Sequence, residues 1–566
     1  MPMTLALHMG PPTLPQCLIA VDCSERFLAI AQEVLPVMHH ERIDRQMSGS
    51  LLMGIDIGTS SSKGVLCTPE GEIVASATIE HDTSFPRPGW AEHDADGVWW
   101  GDFVGICRQL LSGPYSGDDV GAVGVSAIGP CLLPIDTEGK PLRQGILYGI
   151  DSRATAEIAL LEEVCGQDEL YRQGGMVLTS QSIGPKILWL RNNEPEIFAQ
   201  TSMMHASSSY LVFRLTGEHV LDRHTASAFN PLFSMEKLEW DNRFAELIVE
   251  PSRLPRLLNA NEIAGVVTPT AAEETGLSIG TPVNAGTIDV AAESISVGIV
   301  NPGEMMLMYG STTFLLNLVD GYCPDPRLWT AAYSLPNRRA IMGGTATSGL
   351  ITKWFRDEIA AGEREMATQT SSNAYKLLGD LAASIPPGSD GLICLPYFAG
   401  ERTPIFDPDA RGMFAGLTLA HTRGHLFRAV LEGVGYAVRD HLEIMRELDS
   451  FPSRIVAVGG GAQSDVWLQI VSDIAGISQL VPQRTIGASY GDAFLAGLAL
   501  GIVPSTDSLT EGWIQMNRTI EPNSARTALY DEYFQIYREL YENTTDQMHA
   551  LARLGRDAAS RSAVTL

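Results

Sequence analysis

Neither G-x-x-x-x-G-K-[ST] nor G-x-G-x-x-G occurs anywhere in the 566 residues, which removes the P-loop and Rossmann routes to a bound nucleotide. Positive charge is also scarce: 39 Lys and Arg stand against 67 Asp and Glu, a formal net charge of -28. A basic face able to neutralise a phosphate backbone is excluded, and nucleic acid with it. ATP is not excluded, because it arrives as a magnesium complex and is held locally by a few oriented groups. The eight cysteines (Cys17, Cys23, Cys67, Cys107, Cys131, Cys165, Cys323 and Cys394) show no C-x-x-C spacing. They read as reduced core residues of a cytosolic protein, not as zinc ligands or a disulfide framework. No apolar run approaches the ~18 residues of a membrane span, so no membrane partner is expected.

What is present is an ordinary globular balance, 45% hydrophobic and 19% charged, in a chain too long for one core. Residues 1–50 read differently from the rest. Pro11-Pro12, Pro15, His39-His40 and the charged stretch from Glu41 to Arg45 surround only short apolar pieces, with no signal-peptide pattern. The expectation is a poorly ordered N-terminal extension, or translation starting at Met47 or Met53.

The stretch from Leu51 to Lys63 is built to hold a phosphate. An apolar run ends in Asp56-Ile57-Gly58 and then in Thr59, Ser60, Ser61 and Ser62, a buried strand turning sharply into a second one. Small residues there let an anion approach backbone N–H groups, and Lys63 adds positive charge. Asp56 is placed to hold a hydrated Mg²⁺, which keeps several waters and takes one or two carboxylates. A plain hairpin with a serine-rich turn accounts for the same residues. A third strand at 73–79, a helix from Asp94 or Asp96 carrying Trp99, Phe103, Ile106 and Leu110 on one face, and strands at 122–127 and 131–135 follow. Three strands, a helix and another strand is the order of the ribonuclease-H-like nucleotide-binding fold.

In the stretch from Pro282 to Ala292 a strand runs into a small-residue turn, and Asp289 sits where a helix begins. Such an Asp can be a helix cap. It can also accept the proton of an attacking hydroxyl, the part a catalytic aspartate plays in kinases. Met305 to Val319 then repeats the opening design around the turn Gly310-Ser311-Thr312. Two phosphate-type turns imply duplicated α/β domains facing a cleft. Gly349 and Lys353, on a helix after Gly343-Gly344, are placed to flank a nucleotide. Gly459-Gly460-Gly461, before Asp465, presents bare backbone to a flat adenine and its ribose. A long amphipathic helix from about His425 contains Gly433 and Gly435, read as close helix packing at the domain interface. The tail, 546–566, is small, polar or charged, and is expected to fray.

Taken together these residues resemble the FGGY carbohydrate kinases. The stretch from Gly412 to Leu417 with His425-Leu426 and Ala429-Val430-Leu431-Glu432 fits that family's C-terminal signature, and Gln181 to Phe198 resembles its N-terminal one more loosely. PGWAEHDADGVWW, GERTP and GGGAQSD are closest to xylulose kinases. The resemblance implies two ribonuclease-H-like (actin-like ATPase) domains, 51–296 for sugar and phosphate and 297–545 for nucleotide, with a cleft between them. It implies transfer of the ATP γ-phosphoryl group to a sugar or polyol hydroxyl with Mg²⁺, in a cytoplasmic enzyme expected to be a homodimer. It assigns Asp289 as catalytic base and Asp56 as the residue near the metal. Gly58, Thr59, Ser60 and Ser311 would contact phosphates, with Lys63 and Gly310 beside them, while Gly349, Lys353, Gly460, Gly461 and Asp465 would lie along the nucleotide. The sugar pocket departs from the family: Ile128-Gly129-Pro130 stands where xylulose kinases carry Gln-Met-His, and Val290 where an amide usually follows the aspartate. Gly129, Pro130, Asp151 and Asp289 are the expected substrate residues, with Tyr148, Arg153, Glu92 and His93 as further candidates for the altered pocket.

Overall fold

The computed structural model describes residues 51–564; the N-terminal extension expected at 1–50 lies outside the described residues. Strand β1 (Leu51–Ile57) is apolar and buried except at Asp56, so it forms the middle of a sheet. It pairs antiparallel with β2 (Ser61–Cys67) and parallel with β4 (Val120–Ala127), while β3 (Ile73–Glu80) closes the edge against β2. Three shorter strands, Ile263–Val266, Pro282–Asn284 and Thr287–Ile288, complete this seven-stranded sheet.

The second half repeats the plan. Strand β5 (Glu304–Tyr309) is antiparallel to β6 (Thr313–Val319), β6 to β7 (Arg339–Gly344), and β5 is parallel to β8 (Arg454–Val458). The duplicated α/β architecture expected from the two turns is therefore observed. Four helices matter for the site: α1 (Asp289–Ser296), α2 (Gly349–Trp354), α3 (Arg423–Glu447) and α4 (Ala488–Leu500).

Helix α4 comes from the second half of the sequence but packs on the first sheet. A Cβ on Gly124 of β4 would stand 2.0 Å from the Asp492 carbonyl oxygen of α4. Only bare backbone allows that approach, and it locks one lobe's helix onto the other lobe's strand. Leu52, Val65 and Ala122 of the first sheet share one apolar cluster with Met306, Val456 and Phe494 of the second half.

Local details differ from expectation in four places. The helix after Asp94 starts with a wide turn, Ala95–Trp100, whose Asp96 and Gly97 N–H groups the Asp94 carboxylate caps, before a regular helix at Gly101–Leu110. The strand expected at 131–135 shortens to Leu133–Ile135 and pairs with Met203–His205 outside the main sheet. Gly433 and Gly435 of α3 do not mark the domain interface. They admit the Cys394 carbonyl and Ile474, both from the second half. The tail does not fray within the described residues, because Ser524–Val564 is one helix anchored by buried Met548 and Ala552 and by His549 on Asp407 at 2.8 Å. A compositional reading misses such an anchor, since it rests on single contacts spaced along one face.

Candidate active site

Two cavities meet at the β5–β6 turn. The smaller, about 380 Å³, lies between the lobes and is lined by Asp56, Gly129, Pro130, Tyr148, Gln181, Asp289, Val290, Glu293, Thr312, Trp329 and Arg402, among others. The larger, about 850 Å³, is lined by Gly310, Ser311, Gly349, Lys353, Lys376, Gly460, Gly461, Asp465 and Trp467, among others. Thr312 faces the first while Gly310 and Ser311 face the second, so one three-residue turn separates them.

Asp289 is the first residue of α1, and its Oδ1 accepts the Val290 N–H at 2.7 Å. Burial, then the nearby Asp56 charge, push its carboxyl well above the usual carboxylate range. Asp56, at the end of β1, is pushed up to about 6, mainly by burial, against a hydrogen bond from Ser126 and the charge of Lys63. Glu293, one turn along α1 from Asp289, rises to about 7, again mainly by burial and with Asp56 adding repulsion. The Ser126 hydroxyl bridges Asp56 Oδ1 at 2.8 Å and Asp492 Oδ2 at 2.6 Å, its single proton serving one of them at a time, and Asp492 Oδ1 has no partner among the described residues. Four desolvated carboxyls thus crowd one end of the cleft, an arrangement that favours a cation or protons. Asp492, Ser126 and Glu293 were not anticipated from the sequence. The available signal was a lone carboxylate, Asp492, inside the otherwise apolar and small-residue helix α4.

The first turn is held from behind. The Gly58 carbonyl faces His81 Nε2 at 3.1 Å, the His81 Nδ1 faces Asp102 at 2.7 Å, and the Thr59 carbonyl accepts from the Thr83 hydroxyl at 3.0 Å. The Thr59 hydroxyl lies 3.4 Å from the Tyr148 hydroxyl, which carries this turn to the cavity edge. Gly58, Thr59, Ser60 and Lys63 do not themselves line either cavity; Lys63 is exposed and acts through its charge on Asp56 and Glu293.

Asp151 does not line the cavity, contrary to expectation. It is fully buried, accepts the Ala91 N–H at 2.8 Å and takes Arg153 Nη2 at 2.7 Å, while Arg153 stacks 3.9 Å over Trp90. Arg153, Glu92 and His93 are likewise absent from its lining: Glu92 pairs with Arg153 at 2.8 Å, and His93 accepts from Trp99 at 3.1 Å. A D-x-R spacing near a pocket looks the same whether the pair faces inward or supports the wall.

The larger cavity suits a nucleotide. A Cβ on Gly460 would meet open space, Lys353 and Lys376 supply positive charge, and the Trp467 Nε1–H has no partner among the described residues. Its volume falls in the range of ligand sites. Among the described residues no group of three or more His, Cys, Asp or Glu could hold a metal ion, and no helix is long and apolar enough to cross a membrane.

The N-terminal domain of the FGGY family of carbohydrate kinases matches residues 51–296, and its C-terminal domain matches residues 305–500. A xylulose kinase of Escherichia coli (strain K12) is 30% identical over 87% of this chain and 99% of that protein. A gluconokinase of Bacillus subtilis (strain 168) is 30% identical over 82% of this chain and 90% of that protein. The crystal structure of xylulose kinase from Rhodospirillum rubrum superposes with a TM-score of 0.82 at 31% identity, covering 88% of this chain and all of that one, 100%.

Proposed function

The chain belongs to the FGGY family of carbohydrate kinases, and from that premise we propose that it uses ATP and Mg²⁺ to phosphorylate a hydroxyl of a pentulose such as xylulose. The observation that carries the reading is the position of Asp289, at the start of α1 and open to a sugar-sized cavity, one turn away from a nucleotide-sized one.

Asp289 takes the proton of the attacking hydroxyl. Its basicity, raised first by burial and then by the Asp56 charge, suits the task once a cation beside Asp56 favours its ionised form. Mg²⁺ would bind at Asp56 and bring charge neutralisation to the transferring group; one carboxylate plus waters is an accepted set for this ion. Ser311, Gly349, Lys353, Gly460, Gly461 and Asp465 hold the nucleotide, and the turn at Gly58, Thr59 and Ser60, with Lys63, faces its phosphates. Gly129, Pro130, Tyr148 and Gln181 bound the sugar. Ile288, Val290, Met308, Phe314 and Trp329 give the same cavity apolar walls, which keep out water that would otherwise take the phosphoryl group. A cytoplasmic homodimer completes the proposal, and light scattering tests the assembly.

The test is ADP formation with Mg-ATP across pentuloses, hexuloses, polyols and aldonates. Xylulose should give the highest kcat/KM, and Asp289→Asn should lower kcat by about 10²–10⁴-fold with ADP still bound. Sugar-dependent turnover that survives the substitution removes Asp289 from its role. The similarity to a gluconokinase over 82% of this chain supports a second reading, an aldonate acceptor, which faster turnover of gluconate than of xylulose would select.

A further inference from the structure

Among the described residues Arg402 is the only Lys or Arg lining the smaller cavity. Its Nε and Nη2 both donate to the Thr345 carbonyl, at 3.2 and 2.6 Å, which leaves Nη1 without a protein partner among the described residues. The guanidinium packs 5.6 Å from the Trp329 ring centroid. No carboxylate forms an ion pair with it among the described residues, although its neighbour in sequence is Glu401. That carboxyl is turned away onto the Ala346 and Arg402 backbone N–H groups, and burial pushes it up to about 8, so near neutral pH it is largely protonated. An arginine kept desolvated and unpaired is costly unless an anion arrives to meet it.

The anion that reaches this cavity in every turnover of a kinase is the group being transferred. Arg402 stands on the lobe that supplies the β5–β6 turn, and its anchor is tied to that turn: the Thr345 hydroxyl accepts the Thr313 N–H at 3.0 Å. Asp56, Asp289 and Glu293 line the same cavity from the other lobe.

We propose that Arg402 contacts the phosphoryl group during transfer and stabilises its developing negative charge, a role that rests on phosphotransfer occurring at this cavity. Asp289 takes the hydroxyl proton as the acceptor oxygen bonds to the γ-phosphorus. The bond from that phosphorus to the β–γ bridging oxygen breaks, and its electron pair leaves with ADP. Arg402 stays protonated and faces the equatorial oxygens, where a preorganised charge acts most strongly.

The experiment compares the full chain with Arg402→Gln and Arg402→Lys. It measures kcat and KM with xylulose and with gluconate, and calorimetric affinity for ADP alone and for ADP with aluminium fluoride and sugar. For Arg402→Gln, kcat should fall by about 10³-fold with neutral and acidic acceptors alike. ADP affinity should stay within a few-fold, the extra affinity given by aluminium fluoride should vanish, and Lys should restore part of both. A rise in KM confined to gluconate would make Arg402 a carboxylate receptor and overturn the proposal. Loss of ADP affinity alongside kcat would overturn it too, showing that Arg402 merely holds the Thr345 loop. If the unaltered chain binds the fluoride complex but turns over no sugar, the kinase reading fails, and the fluoride affinities alone still decide the role of Arg402.

Discussion

The carboxyls of Asp56 and Asp289 open into one cavity, and the charge on Asp56 raises Asp289 beyond what burial does alone. A stability consequence follows from the direction of these shifts. Asp56 moves from 3.8 to about 6 and Glu293 from 4.5 to about 7, so the folded chain holds protons that the unfolded chain has released. Stability is therefore lost as pH rises from the unfolded values through the folded ones. Asp56→Asn should stabilise the nucleotide-free protein at about pH 8, by an amount on the order of 1–3 kcal/mol and hence with a raised Tm, and have little effect near pH 4. Thermal melts at the two pH values check this, and the same variant should lose phosphotransfer.

His81 holds the β1–β2 turn from beneath, with Asp102 at 2.7 Å on one ring nitrogen and the Gly58 carbonyl at 3.1 Å on the other. Replacing His81 with Phe leaves the Gly58 carbonyl without this partner and leaves Asp102 Oδ2 with only the Ser62 hydroxyl, at 2.7 Å. The expected cost is about 1–3 kcal/mol in denaturant unfolding. The KM for ATP should rise by roughly tenfold because the turn is no longer aimed, an effect of about 1.4 kcal/mol.

Helix α2 closes on the second turn through Gly349, whose N–H donates to the Gly310 carbonyl at 3.0 Å; a Cβ there would sit 2.4 Å from that oxygen. Gly349→Ala must push the turn and the helix apart. It should lower stability by about 1–3 kcal/mol and weaken ADP binding in calorimetry, while sugar binding in the smaller cavity is spared.

Val290 lines the smaller cavity beside Asp289. Val290→Asn introduces a hydrogen-bonding group beside Asp289. The kcat/KM ratio of xylulose to gluconate should change by about tenfold or more if this position reads a sugar hydroxyl. An unchanged ratio would mean that neither acceptor is read there.

The duplicated sheets were legible because β1 and β5 are apolar runs ended by small-residue turns, a pattern that depends only on neighbours in sequence. Asp289 could be found for the same reason: a carboxylate at a strand-to-helix junction is a local feature. Asp151 shows where local pattern misleads, since its pairing with Arg153 is two residues away in sequence whether or not it faces a ligand. Asp492 shows the opposite case, because its closeness to Asp56 requires α4 to cross back onto the first sheet at Gly124, 368 residues away.

What the sequence by itself determined is the kinase family, the two α/β lobes, and the small-residue turns that follow β1 and β5, because all of these are written in short runs of chain. Only the tertiary structure decided which carboxyls share the cleft, that Arg402 stands unpaired within it, and that Asp151 supports a wall. Burial and charge proximity are properties of packed surfaces from distant segments, and no local pattern carries them.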